Sequence, residues 1–166
     1  MLKKAIILFF FLSSLVFLSG EGEKVLSNID MSKLESIKIL IEDEGVVNDW
    51  INKVISDFIQ TAKAYDKNKK LENKLKNLII NVFTYPIVCL VFSSSYKIDE
   101  YMNNLGSKAE EAGKNMSPET IEKIDKMIEE IQSNLESIMS DNPNKKMIDQ
   151  YLNLTSTSID NYRKSK

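Results

Sequence analysis

The sequence contains no histidine and a single cysteine, Cys89. Without histidine, the chain lacks the commonest metal ligand and the side chain best suited to acid–base catalysis near neutral pH. One cysteine cannot form an internal disulfide, so the fold must be stabilised by its hydrophobic core. Cys89 lies in an apolar run, where we expect it to be a small buried hydrophobic residue.

Glycine and proline are also scarce, with five and three in 166 residues. A β-rich fold with many tight turns needs more of both, so this composition favours helices. Hydrophobic residues make up 43% and charged residues 28% of the chain, which is typical of a globular protein. We therefore predict an all-α fold, an antiparallel bundle of about four to five helices that forms a single domain at residues 21–166.

The formal net charge is −2. Such a chain is a poor candidate for nucleic-acid binding, because neutralisation of phosphates supplies most of that affinity. One stretch is nevertheless rich in lysine, and we interpret it as a solvated helix start, with a small basic patch as the alternative. Its members are Lys67, Lys69, Lys70, Lys74 and Lys76.

The N-terminus has the pattern of a secretory signal, which predicts an exported protein at the cell surface, in the outer membrane or in the periplasm. Lys3 and Lys4 precede an apolar run at residues 5–18, and two small residues suited to cleavage follow. We predict a signal peptide at residues 1–20. The alternative is an uncleaved anchor that associates with a membrane, although the run is short for a span of about 20 residues.

A lipid anchor is not expected. The three residues before Glu21 would suit the start of a bacterial lipobox, but a lipobox places cysteine where this chain has Glu21. The thiol that carries the lipid is therefore missing.

Two helices are predicted after the leader. Residues 28–44 open with a capping box formed by Ser32 and Glu35. Residues 46–65 have apolar side chains at helical spacing, and we expect the only tryptophan, Trp50, to anchor the core there. A polar connector at residues 66–70 follows. The apolar stripe of the second helix consists of Val47, Trp50, Ile51, Val54, Ile55, Phe58, Ile59 and Ala62.

The segment at residues 78–92, from Leu78 to Phe92, is apolar on nearly every side. A helix of this kind must be buried by protein or by lipid. Pro86 removes one backbone N–H, so we expect a kink or a break there. We interpret the segment as the central buried element of the bundle. The alternatives are a membrane-inserting hairpin or pore segment, and a buried pair of strands.

The remaining sequence predicts three more segments, two of them helices. Residues 96–105 form an amphipathic helix that Gly106 ends, and residues 107–116 form a loop or a weak helical turn. A last helix starts near Pro143. Its inward residues are Met147, Ile148, Tyr151, Leu152 and Ile159.

The clearest helix signal lies between these stretches. Ser117 is a natural N-cap, Pro118 suits the first helical position, and Glu119 complements the helix dipole. A seam of apolar residues then continues for about two and a half heptads, which favours packing within the chain over a coiled coil between chains. Self-association through this seam, as in a structural envelope protein, is the alternative. The seam consists of Ile121, Ile124, Ile128, Ile131, Leu135 and Ile138.

The sequence offers no site for chemistry. It has no glycine-rich phosphate loop, no cluster with metal-ligand spacing, and no histidine to activate a serine. The neighbouring carboxylates Glu129 and Glu130 are expected on a solvated helix face rather than across a cleft. We therefore predict a protein that is not an enzyme and needs no cofactor or metal.

Residues 115–128 carry a family resemblance. They read Asn-Met-Ser-Pro-Glu-Thr-Ile-Glu-Lys-Ile-Asp-Lys-Met-Ile. This stretch is similar to the C-terminal helix of the Rev-type proteins, which are small helical surface antigens of Borrelia with a Met-Ser start and a Glu-x-Ile-Asp-Lys core. Residues 84–88, Thr-Tyr-Pro-Ile-Val, resemble a Thr-x-Pro-apolar stretch upstream of that helix.

The resemblance implies an adhesin-like protein, because Rev-type proteins are outer-surface lipoproteins and members bind host fibronectin. The partner would then be a host extracellular-matrix protein such as fibronectin, or a complement regulator. This chain departs from the family in lacking the lipobox cysteine and in continuing into a further helix. No binding residue of the family transfers to a numbered position here, and the oligomeric state stays open.

Overall fold

The structure is a computed structural model and describes residues 27–30, 32–33, 44–91 and 96–166. Within these ranges the chain forms five long helices and no strand, so the predicted all-α bundle is confirmed. Residues 1–20, with their signal-peptide assignment, lie outside the described residues. The helices are α1 (Glu44–Tyr65), α2 (Glu72–Val91), α3 (Tyr96–Gly113), α4 (Pro118–Glu136) and α5 (Lys145–Lys164), with single 3₁₀ turns at Lys69–Leu71 and Ser137–Met139.

Helices α1 and α2 form a hairpin, and α5 packs along both of them. Trp50 of α1 meets Tyr85 of α2 edge to face, with ring centroids 5.8 Å apart. Helix α5 lies beside α2 and runs in the same direction. Its Thr155 hydroxyl donates to Asn81 Oδ1 at 3.0 Å, and one turn later Ser158 Oγ accepts from Trp50 Nε1 at 2.9 Å. The bundle is thus not antiparallel throughout.

The apolar stripe predicted for α1 is confirmed as core. Seven of its eight members are buried, Trp50 is 1% exposed, and Ile59 is partly buried against them. The α4 seam packs inside the same bundle, as the preferred interpretation predicted. Its first residue, Ile121, is half-buried, and the five others are buried. The α5 core positions agree as well: Met147 is partly buried, and Ile148, Tyr151, Leu152 and Ile159 are buried.

Pro86 does not break its helix, because α2 continues to Val91. Proline has no N–H to donate to the carbonyl four residues earlier, which belongs to Val82. The hydroxyl of Tyr101, on α3, donates to that Val82 oxygen at 2.5 Å. A donor from a neighbouring helix thus replaces the missing backbone donor, and no local pattern in the sequence indicates it.

The apolar segment that contains Pro86 is a helix in the described chain, not a pair of strands. Its first part is core: Leu78 is partly buried, and each residue from 79 to 85 is buried. The side chains of residues 86–92, Cys89 among them, lie outside the described residues. The burial expected for the whole segment is therefore borne out for residues 79–85.

Gly106 does not end α3, which continues to Gly113. The prediction of a loop or a weak helical turn over residues 107–116 was wrong for residues 107–113, because it rested on the lack of large apolar side chains there. The inward positions here are Ala109 and Ala112, which are 1% and 0% exposed. Alanine is the best helix former, and the roughly 1 kcal/mol cost of an internal glycine is small beside the packing of α3 on α1.

The helix starts agree with the sequence to within a few residues. Ser117 is the N-cap of α4, and its Oγ accepts from the backbone N–H of Thr120 at 3.3 Å. Helix α5 is capped by Asn144, slightly later than expected. At the predicted first helix, Asp30 Oδ1 accepts from the Ser32 backbone at 3.0 Å. Glu35 and most of that helix lie outside the described residues.

Candidate binding surface at the α1–α2 turn

Neither a metal site nor a membrane span is found in the described chain. Residues 27–30, 32–33, 44–91 and 96–166 hold no group of acidic or cysteine side chains that could bind a metal ion. Among the same residues, every helix is too short or too polar to cross a bilayer. Glu129 and Glu130 are both exposed on α4, on the solvated face where the sequence placed them.

The turn between α1 and α2 is fixed by its own backbone and by Asn68. The N–H groups of Lys67 and Asn68 both donate to the carbonyl of Ala64, at 3.2 and 3.0 Å. Asn68 then caps the 3₁₀ turn, because its Oδ1 accepts from the Lys70 N–H at 3.2 Å. The polar connector is therefore an ordered structure that sets the direction of the side chains it carries.

Asp66 ties this turn to the start of α4. Its Oδ1 accepts from the backbone N–H of Ser117 at 3.3 Å, from Ser117 Oγ, and from Thr120 Oγ1 at 2.6 Å. The hydrogen bonds from the Ser117 and Thr120 hydroxyls hold the pKa of the Asp66 carboxyl below its ordinary value. Sequence reasoning missed this contact, since nothing local links residues that are 51 positions apart.

Lys69 and Lys76, two of the five lysines predicted as a solvated stretch, have partners. Lys69 Nζ donates to Thr120 Oγ1 at 3.0 Å and lies 4.6 Å from the centre of the Tyr65 ring. Lys76 Nζ bonds Glu130 Oε1 of α4 at 3.0 Å. Both ammonium groups are thus drawn towards α4 and stabilise the packing of the turn.

The other lysines near the turn have no such partners. Lys63, Lys67, Lys70 and Lys74 are exposed, and none of them forms an ion pair within the described part of the chain. We call these four residues the lysine surface. Several lysines elsewhere are paired: Lys33 with Asp149, Lys53 with Asp57, Lys123 with Glu119, Lys126 with Glu122, and Lys164 with Asp160.

The charge around the turn is opposite to that of the rest of the molecule. Residues 63–76 contain six lysines and two acidic residues, which gives a net charge of +4. Because the whole chain carries −2, the remaining residues carry −6. The turn joins the C-terminal end of α1 to the N-terminal end of α2, whose dipoles have opposite signs there, so the positive charge of this region comes from its lysines. The structure thus adds Lys63 to the predicted basic patch. Lys69 and Lys76 interact with other side chains and are therefore not among its free charges.

Searches against protein-family models, curated proteins and solved structures each find no match to this chain.

Proposed function

We propose that this chain is an exported helical protein that binds a host or envelope macromolecule through the lysine surface. The observation that carries the proposal is the group of four exposed lysines without ionic partners on an otherwise acidic protein. Uncompensated charge on an ordered turn raises the local concentration of an oppositely charged partner and orients its approach. The leader pattern and the resemblance to Rev-type surface proteins support an adhesin-like role.

The proposal is tested by retention on immobilised fibronectin and on an immobilised complement regulator. We expect saturable binding to at least one of them, and weaker binding when Lys63, Lys67, Lys70 and Lys74 are all replaced by glutamine. If neither partner retains the purified protein saturably, the adhesin form of the proposal fails. N-terminal sequencing of the exported protein separately tests cleavage after residue 20.

The membrane-active alternative depends on the segment at residues 78–92. Ile79, Val82 and Phe83 are each at most 1% exposed in the bundle. Insertion into a bilayer would have to remove these side chains from the core. Their burial favours the binding function, and liposome leakage caused by the purified protein would reverse that preference.

A further inference from the structure

We propose that the lysine surface binds a densely sulfated polysaccharide. This inference rests on the proposed function and adds the chemical class of the partner. The four lysines lie within three residues of either end of the turn at residues 66–71, so their charges are concentrated at one end of the α1–α2 hairpin. Four point charges on flexible stems suit a polymer with closely spaced negative groups better than one small anion.

The composition of the surface disfavours other anionic partners. Arg163 is the only arginine in the sequence, so this turn has no planar fork to pair bidentately with carboxylates on an acidic protein. Tyr65 is 0% exposed, which leaves no aromatic ring here on which a nucleic-acid base could stack. Leu71 packs against the core and is therefore not presented to a lipid surface.

Two of the four lysines, Lys70 and Lys74, are also held where they do not help the fold. Lys70 and Lys74 flank the start of α2, and positive charge at a helix N-terminus opposes the helix dipole. Only Glu72 offsets them in the first turn. Residues that break a local stability rule without a compensating contact are expected at functional sites. Replacing Lys70 and Lys74 should weaken binding and leave the free energy of unfolding unchanged or higher, which distinguishes a binding role from a structural role.

The experiment measures binding to immobilised heparin at several salt concentrations. The test variant replaces Lys63, Lys67, Lys70 and Lys74 with glutamine. The control variant replaces Lys53, Lys123, Lys126 and Lys164, which are paired elsewhere, and changes the net charge by the same amount. We expect about tenfold or greater loss of affinity in the test variant, little loss in the control, and weaker wild-type binding as salt screens the charges.

Several results would overturn the inference: no binding of the wild type to heparin, equal binding by the test variant, or an equal loss in the control. Tighter binding to phosphatidylglycerol vesicles or to duplex DNA than to heparin would also overturn it, and would assign the surface to a membrane or to a nucleic acid. If heparin binding fails while fibronectin or the complement regulator still retains the protein, the polysaccharide inference falls and the proposed function stands. If all of them fail to bind, both fall.

Discussion

The hydroxyl of Tyr101 donates its hydrogen bond to the carbonyl oxygen of Val82, the acceptor that Pro86 leaves without a backbone donor. Both Tyr101 and Val82 are buried, so water cannot readily replace the hydroxyl. We therefore expect Tyr101→Phe to lower the free energy of unfolding by about 1–2 kcal/mol. Urea denaturation followed by circular dichroism measures this change.

Pro86→Ala provides the control for that prediction. Alanine restores an N–H that can reach the Val82 carbonyl within α2, so the Tyr101 hydroxyl becomes less necessary. In the Pro86→Ala background we expect Tyr101→Phe to cost at least about 0.5 kcal/mol less than in the wild type. Equal costs in both backgrounds would mean that the contribution of the Tyr101 hydroxyl does not depend on the backbone donor that Pro86 lacks.

The same substitution should have opposite effects at two buried threonines. Thr155 donates to Asn81 between α5 and α2, and Thr155→Val would leave the Asn81 oxygen without this donor, at a cost of about 1–2 kcal/mol. Within the described part of the chain the buried hydroxyl of Thr84 has no hydrogen-bond partner, so Thr84→Val should stabilise the protein by about 1 kcal/mol. Thermal unfolding distinguishes the two. A loss of stability in Thr84→Val would contradict the second prediction.

Asp66 should make the protein sensitive to acid. Its pKa is lowered in the folded state, so its contribution to stability is present above the unfolded value near 3.8 and is lost as the pH falls through the folded value. Asp66→Asn should therefore lower the midpoint temperature of unfolding at pH 7. The decrease of this temperature below about pH 4 should be smaller in the variant than in the wild type. Asp57→Asn, which removes one carboxylate from an i,i+4 ion pair on α1, is the control and should lower the unfolding midpoint at pH 7 less than Asp66→Asn does.

Asp125 should have the opposite pH dependence. Both of its carboxylate oxygens are buried and have no hydrogen-bond partner among the described residues, and burial raises the pKa of Asp125 above 3.8. The destabilisation from its charge is present above the folded pKa and is relieved as the pH falls towards the unfolded value. We expect Asp125→Asn to raise the melting temperature at pH 7, with the difference shrinking on acidification. Glu119→Gln, exposed in the first turn of the same helix, should give no such gain in melting temperature.

Periodicity and capping were enough to predict most of the helices. The α1 stripe and the Ser117 cap are local patterns, and local patterns determine where a helix begins and which face it buries. The error at Pro86 arose because a tertiary contact overrides a local signal: Tyr101 of α3 supports α2 there, and no spacing in the sequence reveals this partner. The error at Gly106 was local, because Ala109 and Ala112 continue the helical spacing of Leu105 but are small.

The candidate surface was only partly predictable for a related reason. The lysine run at residues 67–76 is visible in the sequence, but which ammonium groups are free depends on distant residues. Thr120 and Glu130 engage Lys69 and Lys76 from across the bundle. Lys63 joins the surface because α1 ends two residues later, at Tyr65, which places Lys63 at the same end of the α1–α2 hairpin as the other three lysines. Only the folded chain separates free charge from paired charge.

The position of α5 beside α2 has a consequence for how the protein is made. Trp50 and Asn81 can form their hydrogen bonds only after Ser158 and Thr155 have been synthesised. These partners lie 108 and 74 residues further along the chain. The α1–α2 hairpin therefore stays incompletely covered until α5 has been synthesised. A product that stops before Tyr151 would expose the α5-facing side of α2 to solvent, and quality-control proteases should remove it rather than let it accumulate.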